Sequence, residues 1–337
     1  MGVVTLALVR LQSILGQTQA KALLLRSVDK GTVSHAYIFR GPSGVGKKTT
    51  ALSFAAFLNC KNRQKDDFCG VCSSCMKFAS ENHPDFHIME ADGGSIKIAQ
   101  VRELKKTLTF PPFEALYRVV LFPDIHTTMR RREVANSLLK TLEEPPANTT
   151  IILTADETGN ILPTILSRGQ IIRFVPLQSY EVSNKLQELK EVGENEARTL
   201  ASVSGGSLGQ ALFLADQELL NLRRLLVDGI MDLDRGQGEA VERILSLAEQ
   251  IAGLKERIYD FFSLLRLWLR DLILLASLMG EDSIVNHDLR HTYASALERW
   301  DVSDLFHRLA EIDNAKKLLE RNCNRLSVCE VLLWEFL

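Results

Sequence analysis

Gly41-Pro-Ser-Gly-Val-Gly-Lys47 is a run in which small residues let successive backbone N–H groups converge on phosphate oxygens. Lys47 is spaced to reach the β- and γ-phosphates of a nucleotide. The next position in such a loop is Ser or Thr, whose hydroxyl ligates magnesium. Here it is Lys48, and Thr49 and Thr50 arrive one and two places late. Hydrolysis also asks for an acid at the end of a neighbouring strand to hold magnesium, followed by a glutamate that activates water. The run Val119-Val-Leu-Phe-Pro-Asp-Ile-His126 offers Asp124 for the first role and Ile125 in the glutamate's place; shifting by one residue puts Pro123 at the magnesium position. One carboxylate is missing either way. Nucleotide contact at Gly41, Gly44, Gly46, Lys47, Lys48, Thr49 and Asp124 is therefore the expectation, with ATP and Mg2+ an open question and hydrolysis weak or absent. His126 is either a substitute base or a strand-end cap.

Cys60, Cys69, Cys72 and Cys75 form a second constellation, C-x8-C-x2-C-x2-C, within sixteen residues. Two overlapping CxxC steps turn thiolates back onto one tetrahedral metal, and Cys60 closes the set. Four sulfurs point to structural Zn2+ with no open position for catalysis. His83 and His87 lie close by but are unneeded as ligands.

The elements that must position these residues are legible in outline. Ala36 to Gly41 reads as a short buried strand entering the glycine-rich turn, and Thr49 to Leu58 as an apolar helix. Further strands are expected at Arg118 to Phe122, Thr150 to Thr154 and Ile171 to Phe174, with a helix from Arg131 to Leu142 between. Strands alternating with helices imply a parallel sheet covered on both faces. Beyond Gln178 the pattern is helical, punctuated at Gly205, Gly206 and Gly209. The expected division is 1–176 for an α/β domain carrying the cysteine module (60–75), 177–217 for a small helical domain, and 218–337 for long amphipathic helices.

The chain has 337 residues, 46% hydrophobic, and a formal net charge of −2. That length asks for more than one core, and that charge gives no global drive toward nucleic acid or anionic membrane. The apolar residues from Val3 to Val9 have no basic residue before them and end at Arg10, unlike a signal peptide. The run from Phe261 to Met279 contains Arg266, Arg270 and Asp271, too costly for a bilayer. A cytoplasmic address follows, in which clustered cysteines bind metal and do not form disulfides.

Val134-Ala-Asn-Ser-Leu-Leu-Lys-Thr-Leu-Glu-Glu-Pro-Pro146 resembles the AAA+ clamp-loader subunits of bacterial DNA polymerase III, as do His35-Ala-Tyr-Ile-Phe39, Cys69-Gly-Val-Cys72 and Leu162-Pro-Thr-Ile-Leu-Ser-Arg168. The resemblance spans about residues 12 to 215, and more loosely the helices beyond. It implies an α/β P-loop (AAA+) domain, a helical lid and an all-α collar, within a hetero-oligomer containing tau/gamma and delta subunits that loads a sliding clamp onto primed DNA. Some members are ATP-hydrolysing motors of the tau/gamma kind; others share the fold without a complete ATPase site, and Lys48 and the missing carboxylate favour these. Gly209 stands where the motor's lid carries a γ-phosphate-sensing arginine. Thr154 falls at the first sensor position, or caps its strand. The resemblance makes Arg168 an arginine finger directed at the ATP of a neighbouring subunit, with Gly169 in place of the usual cysteine; the alternative is a surface arginine on a loop. Phe262, Leu265, Leu269, Leu272 and Leu275 form a helical stripe that is either core or buried against sister subunits.

Overall fold

Along Ala36-Tyr-Ile-Phe39 every side chain is buried, which only a central strand covered on both faces can achieve. The computed structural model describes residues 8–129, 132–156, 161–216, 219–233, 240–277 and 284–337. Residues 3 to 7 of the apolar N-terminal run, Arg131 at the expected helix start, the boundary near 217 and Met279 lie outside them.

In the first compact unit, Met1–Glu181 with Gly206–Gly209, five strands form one parallel sheet: β1 (Ala36–Arg40), β2 (Phe86–Ile88), β3 (Arg118–Phe122), β4 (Thr149–Ala155) and β5 (Gln170–Arg173), in the order β2-β3-β4-β1-β5. Ala36 pairs with Ile151 and Tyr37 with Gln170, so β1 sits between β4 and β5. Side-chain alternation sends Tyr37, Phe39, Leu121 and Ile152 to one face, against α1 (Thr18–Asp29), α2 (Lys47–Leu58) and α3 (Ser73–Ala79). Ala36, Ile38, Val120 and Leu153 go to the other, against α4 (Ile98–Leu108) and α6 (Arg132–Glu143). Short helices α5 (Ile125–Thr128) and α7 (Pro163–Leu166) follow β3 and precede β5. The four anticipated strands are present within a residue or two of their expected bounds. β2 was not anticipated, because three residues are too few to show a period.

From the end of that unit, α8 (Ser179–Leu189) leads into the second, Val182–Gly205 with Gln210–Leu337. It continues as α9 (Glu194–Val203), α10 (Leu208–Asp216), α11 (Leu219–Met231), α12 (Ala240–Ala252), α13 (Ile258–Ala276), α14 (Arg290–Arg299), α15 (Val302–Glu320) and α16 (Arg325–Trp334). Phe262, Leu265, Leu269 and Leu272 on α13 are fully buried in this unit's own core, and Leu275 packs at its margin. Four of the five stripe residues are therefore core and are not available to bury against sister subunits; Leu275 alone is partly exposed. Asp271 explains the charge inside that apolar helix: it is fully buried and accepts hydrogen bonds from the backbone of Val285 (3.0 Å) and Asn286 (2.8 Å), the Asn286 amide (2.7 Å) and the Tyr293 hydroxyl (3.2 Å). Among the described residues, no helix is long and apolar enough to cross a membrane.

Candidate functional site

The carboxyl ends of β1, β3 and β4 lie side by side, and each delivers part of one site, as open parallel sheets do. From β1 the chain turns through Gly41, whose Cβ, were one present, would lie 2.2 Å from the Phe174 carbonyl oxygen. It enters α2 through Gly46 at φ +95°, a conformation that penalises any side chain. Lys47 then folds back over the loop. It is 4% exposed, and its ammonium donates to the carbonyls of Gly41 and Pro42 (2.7 Å to the latter) and to Asp156 Oδ1 at 3.0 Å.

Asp124, at the end of β3, meets Thr154 of β4: its N–H donates to Thr154 Oγ1 (2.9 Å), and the hydroxyl donates to Asp124 Oδ1 (3.3 Å). Asp124 Oδ2 is 2.6 Å from Lys48 Nζ. Thr154 therefore holds an acid, whatever else it senses. His126 Nε2 lies 3.3 Å from Asp156 Oδ2, while its Nδ1 accepts from the Asp156 N–H at 3.5 Å. Magnesium does not fit these residues. Its acid is occupied by an ammonium, and the hydroxyl of Thr50, two places after Lys48, donates to the Gly46 carbonyl at 2.8 Å. Thr49 is half-buried on α2. Ile125, at the glutamate's place, is buried and carries no base. Gly209 donates its N–H to the Gly44 carbonyl at 2.9 Å, and a Cβ there would stand 3.0 Å from Gly44 Cα. A side chain at this position would require the Gly44 backbone to give by a few tenths of an ångström.

Arg168 lies at the other end of the sheet. It precedes β5, whose register with β1 places it beyond the amino end, about 20 Å along the strands from Gly41 at ~3.3 Å per residue. It cannot serve its own phosphate loop. Its Nε donates to Glu143 Oε1 (2.8 Å) and an η-nitrogen to the Thr164 carbonyl (2.7 Å), with the side chain 31% exposed. A Cβ at Gly169 would press on the Ile38 side chain at 2.9 Å, which explains why glycine is accommodated there.

The four cysteines converge. Their Sγ atoms all lie within 4.8 Å of one another, and sulfurs placed tetrahedrally about a metal at ~2.3 Å would be about 3.8 Å apart. Cys60 follows the end of α2, Cys75 lies on α3, and Gly70 at φ +76° turns the Cys69–Cys72 step. The N–H of Cys69 donates to Cys60 Sγ (3.2 Å), and that of Cys72 to Cys69 Sγ (3.3 Å). Burial pushes Cys60 and Cys75 up. The N–H groups of Val71 and Cys72 pull Cys69 down. At Cys72 burial is outweighed by the N–H groups of Cys75 and Lys61, which bring it to about 6. Donor set and spacing fit a metal ion; His83 is occupied elsewhere, near the Ser74 hydroxyl (3.2 Å) and stacked on Phe78.

Asp156 and Glu143 are functional candidates that sequence reasoning missed. Asp156 could have been found as an acid two places beyond the strand-end Thr154. Glu143 sits inside the Leu-Glu-Glu-Pro-Pro motif, but nothing in a linear sequence pairs it with Arg168.

A crystal structure of a DNA polymerase III gamma subunit-related protein from Thermotoga maritima covers 94% of this chain and 98% of its own, at 16% identity and a TM-score of 0.44. The family model described as DNA polymerase III, delta subunit, matches residues 16–178. DNA polymerase III subunit delta' of Bacillus subtilis is 29% identical over 94% of this chain and 95% of its own length. Subunit tau of the same organism is 27% identical over 92% of this chain, which spans 56% of tau. In sequence, then, the chain is similar to the clamp-loader subunits of bacterial DNA polymerase III, and it carries that likeness on a parallel P-loop sheet.

Proposed function

We propose that the chain is a delta-prime-type subunit: a clamp-loader component that hydrolyses little or no ATP itself and contributes Arg168 to the ATP of a neighbouring tau/gamma subunit. The observation that carries this reading is the pairing of Lys48 with Asp124, beside a buried Ile125 where a base is needed. A site so arranged holds its strand-end acid in an ion pair and has no carboxylate at the place of the glutamate that activates water. The position of Arg168 beyond the amino end of the sheet supports action in trans, where a guanidinium stabilises charge on the transferred phosphoryl group. The remaining partners are delta, the sliding clamp and primed DNA, in the cytoplasm, with residues 177–217 acting as a lid and 218–337 as a collar. The cysteine module holds Zn2+ in a structural role, because four thiolates close the coordination shell.

The test is Arg168→Ala in a reconstituted complex. The ATP site facing this subunit is expected to lose on the order of a thousandfold in turnover, lowering the clamp-stimulated ATPase while assembly, read by gel filtration, is retained. An unchanged rate sinks the finger assignment. The likeness to tau keeps a motor reading in play; steady-state turnover by the isolated chain that disappears in Lys47→Ala would establish it.

A further inference from the structure

The pair of positions that holds magnesium in a phosphate-binding loop, the residue after the loop lysine and the strand-end acid, here holds an ion pair. Lys48 Nζ is 2.6 Å from Asp124 Oδ2, and the other carboxylate oxygen accepts from Thr154, so both oxygens are engaged. Thr154 is fully buried and itself accepts from the Asp124 N–H, which fixes the acid's orientation toward Lys48. An ammonium brings a positive charge and three donors but no lone pair. It can replace a cation's charge and cannot ligate one, so Lys48 and a divalent metal compete for the same carboxylate. Lys47 is neutralised in parallel by Asp156. Two lysines thus balance two aspartates, and the arrangement asks for no further cation.

We propose that Lys48 is a built-in replacement for the divalent cation of this phosphate-binding loop, so that the site admits no Mg2+. The proposal rests on reading Gly41 to Lys47 as a phosphate-binding loop and is independent of what Arg168 does in a neighbour.

Mn2+ as a paramagnetic probe and a fluorescent ATP analogue test it on the full isolated chain. With ATP present, the chain is expected to show no protein-bound Mn2+ in its electron paramagnetic resonance spectrum. Its affinity for the analogue should differ by less than threefold between Mg2+ and EDTA, complete absence of binding in both included. Lys48→Thr restores a hydroxyl and frees the acid. It is expected to gain protein-bound Mn2+ and to bind the analogue at least tenfold more tightly in Mg2+ than in EDTA, and adding Asp124→Asn should remove that gain. Thermal melting checks that each variant is folded. Protein-bound Mn2+ on the unaltered chain, a tenfold Mg2+ preference there, or a folded Lys48→Thr variant that behaves like the unaltered chain overturns the proposal. Failure of the arginine-finger reading appears separately, in the ATPase of the assembled complex.

Discussion

Arg168 is parked on Glu143 with both side chains partly in water, so their ion pair adds no more than about 1 kcal/mol to stability. Glu143→Gln keeps an acceptor and removes the charge. Its unfolding midpoint is expected to stay within about 3 °C of the unaltered chain, while the reconstituted complex loses ATPase activity by less than Arg168→Ala causes; calorimetry and a phosphate-release assay check the two halves. Asp85 is the opposite case, fully buried and accepting from the backbone of Phe113 (2.6 Å), Glu114 and Ala115 (2.9 Å each), with Arg118 at 3.5 Å. Burial alone would push its carboxyl up, but these N–H groups and the guanidinium outweigh it and hold it below the ordinary value. A depressed folded-state pKa gives stability that is present above the unfolded value of about 3.9 and is lost as pH falls through the folded one. Asp85→Asn is therefore expected to cost on the order of 3 kcal/mol near pH 7, and the gap to the unaltered chain should narrow below about pH 4 in urea titrations.

At the scale of elements, the cysteine module ties three parts of the first unit together. It joins the end of α2 to α3, and Asp67 within it accepts from the N–H groups of Leu11 and Gln12 at 3.3 Å each. Cys72→Ser is expected to lower bound zinc, measured by elemental analysis, from one per chain to less than a tenth of that. If about 3 kcal/mol is lost with it, the melting midpoint falls by roughly 6–12 °C. The module was readable in advance because four like residues at short spacing admit few geometries. So was the P-loop sheet, because each strand is a short apolar run beside a turn signal. The Lys47–Asp156 and Arg168–Glu143 pairs were not, since each joins residues on different elements and only the sheet order brings them together. β2 escaped for want of length, and the fate of the α13 stripe could not be read because periodicity gives a buried face without saying what buries it.

At the scale of the whole molecule, the two units have separate cores, one around the sheet and one formed by residues 226–336. Heating is therefore expected to give two calorimetric transitions. A zinc chelator should move only the one that belongs to the sheet, and a shift of both by the same amount would show that the units melt as one. The strand order has a further bearing on how the chain is made. β1 emerges early from the ribosome, yet its hydrogen-bonding partners β4 and β5 follow only after the cysteine module, α4 and α6 have been synthesised: Ala36 must wait for Ile151. Until then a largely apolar strand stands with both edges open, the condition in which nascent chains bind chaperones or associate with one another. The cysteines come out well before that partner does. Should the cysteine module hold metal as proposed, its capture at residues 60 to 75 would anchor α2 and the N-terminal turn in the interval, and the supply of metal during translation, and not only afterwards, would bear on how much of the chain reaches its native form.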